Sequence, residues 1–600
     1  MSKVRDETCA HEAVLSEPAM IRRDWRRIDR LITRYWAEAA VVGIVVLLWA
    51  PRLAGPIDLR WDAGVYYVLG TSLATGHGYR ILSEPGSPEA LQYPPLLPAI
   101  VAVHEWALGT TNPDVVAPWL RKLYFGIFMA YAFAALALAR RHLQSRFAVA
   151  AVALCLLQVE SIFFSDALFT ELPFALISVA FVLVAVDGPL TSRLWLRETM
   201  SFVLAAAGFL LRTAGVVLLA AWVIEALARR RWQLAFTRGA LALLPVITWQ
   251  AYVARVHGSY EYAHPAYEYQ RAPYQFYNVS YAENALLLDP FRPELGHVDA
   301  GALARRITAN LPKMILTVGE TVSTRYDFWR KALLQVEETL HWLRGGRDHV
   351  PIIPLDVVCA PIIALSALVI AGVVILARRR ACLMVFIILA SVGLICPTPW
   401  PDQFQRYLMP LALFLAIAAL LALSRLYSAL RTSRLPPAIR TIGQFALAGL
   451  VLLALVLQTY AAWELFYQRE RVGASFVLGE GAASQHFFYQ SRAWRTWDEA
   501  ATWIHANTPP DAIVATTQRH LCYLRTGRRA VLPPMESDPT RARHLLEAVP
   551  VSYVIIDEIG EMASFGRRYA LPAVQSDPVG WHLAHSIYGT RVYERANGRK

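Results

Sequence analysis

A few ionisable residues in this chain stand at the ends of long apolar runs, where side chains able to do chemistry are least expected. Asp62 lies in LRWDAGVYYVLGTSLATGHGY (59–79), directly before Tyr66 and Tyr67. Asp166 and Glu171 share FFSDALFTELPFAL, Arg212 lies in LLRTAG, and Arg406 and Tyr407 lie in PTPWPDQFQRYLMP. A charge at bilayer depth is costly and is read first as functional. A carboxylate can take a proton in a reaction. An arginine offers a planar, always-charged fork that fits phosphate oxygens.

What surrounds these positions decides the setting. The chain has 600 residues, of which 56% are hydrophobic and 17% charged, and its mean hydropathy is +0.36. Soluble domains carry about 25% charged residues, so an ordinary soluble enzyme is excluded. The apolar residues gather in blocks of about 17–25, the length that crosses a bilayer. The formal charge of +12 is not a nucleic-acid footprint. Its clusters, RRDWRRIDR (22–30), RRHLQSR (140–146), TSRLWLR (191–197), ARRRWQLAFTR (228–238), ARRR (377–380) and SRLYSALRTSRLPPAIR (424–440), sit between apolar blocks, and alternate loops lack them. That is the positive-inside pattern. Six cysteines without a CxxC or Cys/His metal spacing argue against a disulfide framework or a structural zinc.

With basic loops inside, the spans fall near 36–53, 118–139, 147–164, 168–187, 199–212, 214–228, 239–256, 352–376, 382–396, 408–424 and 443–463. The expected fold is a polytopic α-helical membrane protein of about 11 transmembrane helices. Residues 1–35 form a basic cytoplasmic segment that suits an uncleaved signal anchor, and 36–463 the membrane domain. The long loops 54–117 and 257–351 lie outside, as does the tail 464–600. The run YPPLLPAIVAVHEWALG (93–109) is short and carries His104 and Glu105, so it is expected at the membrane surface. In the tail, WDEAATWIHANTPPDAIVATT predicts an amphipathic helix, a turn and a strand. RRAVLPP and VSYVIID add strands, with the helical DPTRARHLLEAV between them, which makes a small extracytoplasmic α/β domain.

The order of motifs carries a resemblance. An acidic residue after the first span, a first outer loop reading Y…GHGY…YPP, an SD turn after the third span and an RYLMP opening to a late span resemble the GT-C integral-membrane glycosyltransferases. That superfamily uses polyprenyl-phosphate sugars and includes protein O-mannosyltransferases and the lipid A aminoarabinose transferase. The likeness covers roughly residues 36–463. It departs at the first acidic site, where many relatives carry an Asp-Glu pair and this chain has Asp62 followed by Ala63.

The resemblance implies sugar transfer from a polyprenyl-phosphate donor to an extracytoplasmic lipid, polysaccharide or protein, with inversion of the anomeric centre, in an inner (plasma) membrane. On that reading Asp62 is the base, with Asp166 the second catalytic carboxylate. Arg212 and Arg406 grip the donor phosphate, where negative charge develops. Tyr66, Tyr407 and Glu171 complete substrate binding. No cofactor is firmly implied; a divalent cation held by Asp62, Asp166 and Glu171 is an alternative role for the carboxylates, since oxygen ligands suit magnesium, calcium or manganese. The loop HGSYEYAHPAYEYQRAPYQFYNVSY (257–281) holds seven tyrosines, which fit either an acceptor groove or an interfacial aromatic belt. The rival class is a lipid or solute transporter. It would more typically show inverted repeats and broken helices at mid-membrane, and neither is visible in the sequence.

The topology is testable directly. Export reporters fused at Gly345 and Gly598 should read as exported; a cytoplasmic signal at either overturns the eleven-span arrangement and its common outer face.

Overall fold

The computed structural model describes residues 35–186, 193–343, 354–472, 492–560 and 562–596. The basic segment expected at 1–35 lies outside them apart from its last residue. So do the start of the TSRLWLR cluster, residues 473–491 of the tail and the positions Gly345 and Gly598.

Every apolar run becomes helix, yet the helices are unequal. Seven are long and apolar enough to cross a membrane: Tyr35–Arg52, Pro113–His142, Leu194–Leu211, Trp232–His257, Leu355–Arg378, Pro401–Thr432 and Pro437–Leu465. The run expected at 147–164 is instead two helices, Ser145–Leu156 and Val159–Asp166, bent by 58° at Leu157 and Gln158. The runs at 168–187, 214–228 and 382–396 form the shorter helices Glu171–Ala185, Thr213–Ala228 and Cys382–Ile395. By length and composition the described residues therefore hold seven spans, or eight with the bent pair, and the count of about eleven is not reached. The physical reason is length. At about 1.5 Å per residue, a helix of about 15 residues reaches about 22 Å, short of a hydrocarbon core of about 30 Å. The bend also revises the expectation that no span is broken. The run at 93–109 is the helix Leu96–Leu108, closed by Gly109 in the left-handed conformation; it packs on Asp62–Ala74 and leaves Val103 and Trp106 exposed.

Pro401–Thr432 is the central helix, almost wholly buried. Its tightest neighbour is Leu355–Arg378, and the contact depends on one small residue. A Cβ added at Gly372 would stand 1.9 Å from the Ala418 carbonyl oxygen. Close backbone approach at small residues is how helices associate in lipid, where no hydrophobic force drives them together.

The tail folds as expected and then adds a hairpin. Helix Arg492–Asn507 precedes a five-stranded mixed sheet of order β2-β1-β3-β5-β4. Its strands are β1 (Ile513–Ala515), β2 (Ala530–Val531), β3 (Val551–Ile556), β4 (Trp581–Ile587) and β5 (Thr590–Arg595). β1 runs parallel to β2 and β3, whereas β5 is antiparallel to β3 and β4. Helices Arg519–Thr526 and Pro539–Ala548 link the parallel strands. The sheet domain is docked on the membrane domain. Trp494 meets Trp61 edge to face at 5.1 Å, and the Arg60 guanidinium lies over both indoles, 4.7 Å from Trp61 and 5.0 Å from Trp494.

Gly372→Ala should lower stability by about 1–3 kcal/mol through overpacking. The check is the thermal midpoint of the purified chain in detergent, against Gly449→Ala, where an added Cβ meets nothing within 4 Å. Equal midpoints would mean this helix pair is not close-packed.

Candidate active site

One cavity of about 700 Å³ lies between the ends of the membrane helices and the docked sheet domain. Leu211, Val216, Leu394 and Leu411 of the membrane domain and Gln518, Arg519 and His520 of the tail are among its lining residues. Asp62, Tyr66, Arg212, Arg406 and Tyr407 all face it.

Asp62 opens the helix Asp62–Ala74, where free N–H groups and the helix dipole favour negative charge. Trp61 before it has φ 55°, a left-handed backbone that costs a bulky residue on the order of 1–3 kcal/mol and persists only where the surroundings over-determine it. They do so here. The indole is held by Phe163 at 5.3 Å as well as by Trp494.

Glu171 opens the helix Glu171–Ala185. Arg212 follows Leu194–Leu211 in extended conformation, ahead of a short turn, Thr213–Gly215. Arg406 sits in the short helix Phe404–Leu408, behind a Pro401–Gln403 turn. Four separate breaks in the helical ladder thus deliver four charges to one place.

Arg406 is the hub. Its Nη2 donates to Asp62 Oδ2 at 2.5 Å and its Nε to Glu171 Oε1 at 2.5 Å. A third, longer bond runs from Nη1 to Gln403 Oε1 at 3.4 Å. The same Glu171 oxygen lies 3.2 Å from Arg212 Nη1. Two carboxylates and two guanidiniums make a neutral group, which is how buried charges are tolerated. The rings of Phe169 (4.8 Å) and Phe164 (5.8 Å) lie against Arg406, and Tyr407 lies 5.4 Å from Arg212. The remaining oxygen of Asp62, Oδ1, accepts from the Tyr277 hydroxyl at 2.7 Å. Tyr66 is buried 4.7 Å from Tyr93. Burial, with the charges of Asp62 and Glu171 nearby, holds its phenol well above the ordinary tyrosine range, so it can donate but not ionise.

Asp166 is elsewhere. It ends the second half of the bent pair, 1% exposed, at 2.9 Å from Arg121 and 3.8 Å from Arg52, and it does not line the cavity. Its backbone carbonyl accepts from the Asp58 N–H, tying the segment before Asp62 to the bend. The carboxylate trio Asp62, Asp166 and Glu171 is therefore not gathered. Among the described residues no three His, Cys, Asp or Glu side chains stand together as a metal-ligand group.

Three cavity residues went unmarked in the sequence. Tyr277 is one tyrosine of a rich loop, with nothing local to distinguish it. Arg519 and His520 lie in the helix Arg519–Thr526, whose apolar pattern reads only as domain core.

No protein-family model matches the chain, and no curated protein matches it in sequence. Solved structures match it in fold. The Archaeoglobus fulgidus oligosaccharyltransferase in the apo form superposes with a TM-score of 0.50 at 13% identity, over 94% of this chain and 75% of that one. The same enzyme tethered by a disulfide to an acceptor peptide containing the NVT sequon gives 0.50 at 13%, over 94% and 74%. ArnT from Cupriavidus metallidurans bound to undecaprenyl phosphate overlaps more loosely, with a TM-score of 0.38 at 11% identity, over 94% of this chain and 98% of that one. At such identities the likeness is one of architecture. The chain is a multi-pass membrane protein that shares its fold with the Archaeoglobus fulgidus oligosaccharyltransferase.

Proposed function

We propose that this chain moves a sugar from a polyprenyl-phosphate donor to a hydroxyl of a lipid, polysaccharide or protein on the extracytoplasmic side of the plasma membrane. One observation carries the reading: Asp62, paired with Arg406, lines a cavity whose wall also holds Arg212 and many apolar and aromatic side chains. A lipid phosphate needs such a mixed lining, with apolar side chains for its chain and cations for its phosphate.

The chemistry follows from the partners. The acceptor hydroxyl attacks the anomeric carbon as its proton passes to Asp62. The bond from that carbon to the phosphate oxygen breaks, and polyprenyl phosphate leaves with the electron pair. Attack from the face opposite the phosphate inverts the centre. Arg212 and Arg406 stabilise the charge that builds on the departing phosphate. Arg406 begins fully engaged, with all three nitrogens on Asp62, Glu171 and Gln403. A donor phosphate arriving at Nη2 competes with Asp62 and frees its Oδ2 to take the acceptor's proton. Tyr66 and Tyr407 border the sugar, and Glu171 keeps the two arginines in place. Asp166 braces the fold through Arg52 and Arg121 and takes no proton.

The transporter reading draws on one feature, the break at Leu157 and Gln158. The charge at the end of that pair, Asp166, is engaged by Arg52 and Arg121, and the pair shows the cavity only Phe163 and Phe164, so transfer is favoured.

Mass spectrometry of envelope glycolipids and glycoproteins from cells with and without this chain should show one sugar modification lost. The purified chain should then release that sugar from its undecaprenyl-phosphate form. Asp62→Asn should cut kcat about 10²–10⁴-fold with folded yield and donor affinity retained, whereas Arg406→Lys should weaken donor binding and turnover together. Well-folded Asp62→Asn with wild-type kcat would remove Asp62 from the mechanism.

A further inference from the structure

Asp62 has a second partner that the transfer step leaves idle, and it is a tyrosine in a constrained backbone. Tyr277 has φ 76°, a backbone that disfavours a large side chain. Its N–H donates to Gln92 Oε1 at 2.5 Å, and its ring lies 5.7 Å from Tyr93. Its hydroxyl donates to Asp62. The preceding peptide is held from the tail. Arg519 donates through Nη1 to Gln275 Oε1 at 2.6 Å and through Nη2 to the Phe276 carbonyl. Its Nε lies 3.0 Å from buried Glu84, and its guanidinium sits 5.5 Å from the Tyr277 ring. Glu84 in turn accepts from Asn278 at 2.7 Å and from the Tyr267 hydroxyl at 3.0 Å. His520 meets Tyr277 edge to face at 5.0 Å and shares a 2.8 Å hydrogen bond with Ser83. Its backbone runs so close to the Asp62 helix that a Cβ on Gly64 would lie 3.2 Å from the His520 Cβ.

We propose that Tyr277 is a positioning residue for Asp62, and that the C-terminal sheet domain sets it through Arg519 and His520. The inference rests on the transferase reading above, because it assigns Tyr277 through the base that reading names. A hydroxyl donating to Oδ1 fixes the rotation of the carboxylate, so that the oxygen now on Arg406 faces the cavity when the arginine lets go. The domain is then more than a cover. Without Arg519 the 275–278 peptide loses its clamp, and Tyr277 can relax from its strained backbone and leave the carboxylate free to turn.

The test compares wild type, Asp62→Asn, Tyr277→Phe, Arg519→Lys and the Tyr277→Phe/Arg519→Lys double variant. Each is the full chain in detergent, assayed with a panel of undecaprenyl-phosphate hexoses and pentoses and octyl glucoside or water as acceptor. Tyr277→Phe should lower kcat about 10- to 100-fold, the worth of a hydrogen bond to a charged group, and leave the donor KM within about twofold. A fall in kcat with KM unmoved and folded yield retained is the signature of positioning; a merely structural role would instead lower the yield of folded chain. The double variant should lose no more than Tyr277→Phe alone, because residues acting through one another are not additive.

Outcomes separate cleanly. If Asp62→Asn is inactive while Tyr277→Phe keeps wild-type kcat, the positioning role is overturned and the transferase stands. Additive loss in a well-folded double variant overturns the link to the C-terminal domain. A wild-type chain that turns over no panel member, or an Asp62→Asn chain as active as wild type, overturns the transferase reading and this inference with it.

Discussion

The arrangement depends on keeping Arg406 charged and still, partly exposed at the wall of the cavity. A guanidinium against two phenylalanine rings would be expensive if unpaired, since removing one partner of a buried pair costs several kcal/mol. Asp62 and Glu171 meet that demand from two different helices, and Arg212 shares Glu171 from a third. The group is neutral, so it is stable where it stands. The phosphate donor proposed above could replace a carboxylate on Arg406 without leaving the arginine bare.

The fold is built to deliver those charges at breaks, not along continuous helices. Asp62, Glu171, Arg212 and Arg406 each stand at or within a residue or two of a helix terminus, where the chain turns and the side chain escapes lipid. Strain is tolerated at two of these places. Trp61 and Tyr277 both hold left-handed backbones, one just before the carboxylate and the other in the loop residue that bonds to it. Each is pinned by aromatic neighbours, two of which, Trp494 and His520, belong to the tail.

Much of this was legible in the sequence, for a physical reason. Charges are so unfavourable beside apolar runs that Asp62, Glu171, Arg212 and Arg406 stand out without any partner being known, and these four do meet. Asp166 obeys the same rule and goes elsewhere. The bend at Leu157 and Gln158 turns it onto Arg52 and Arg121, and neither composition nor periodicity encodes which cation a buried carboxylate will find. Helix positions were legible because hydropathy records them; the number of spans was not, because windows of apolar residues run on through caps and turns that shorten the helix itself. Tyr277, Arg519 and His520 were invisible for a different reason. Their neighbours are set by how two loops and a separate sheet domain close over one another, and such contacts leave no local pattern. The β4–β5 hairpin was missed too, since its half-exposed strands mix charged and apolar residues.

The distribution of these residues along the chain has a consequence for biosynthesis. Asp62 is made just after the first span, whereas Arg406 arrives with a late one and Arg519 only after the last apolar helix has been synthesised. A nascent chain therefore holds its carboxylate early, without the arginine that balances it or the tyrosine clamp that aims it. The cavity wall is complete only when the tail has been made and docked, since Gln518, Arg519 and His520 are part of it.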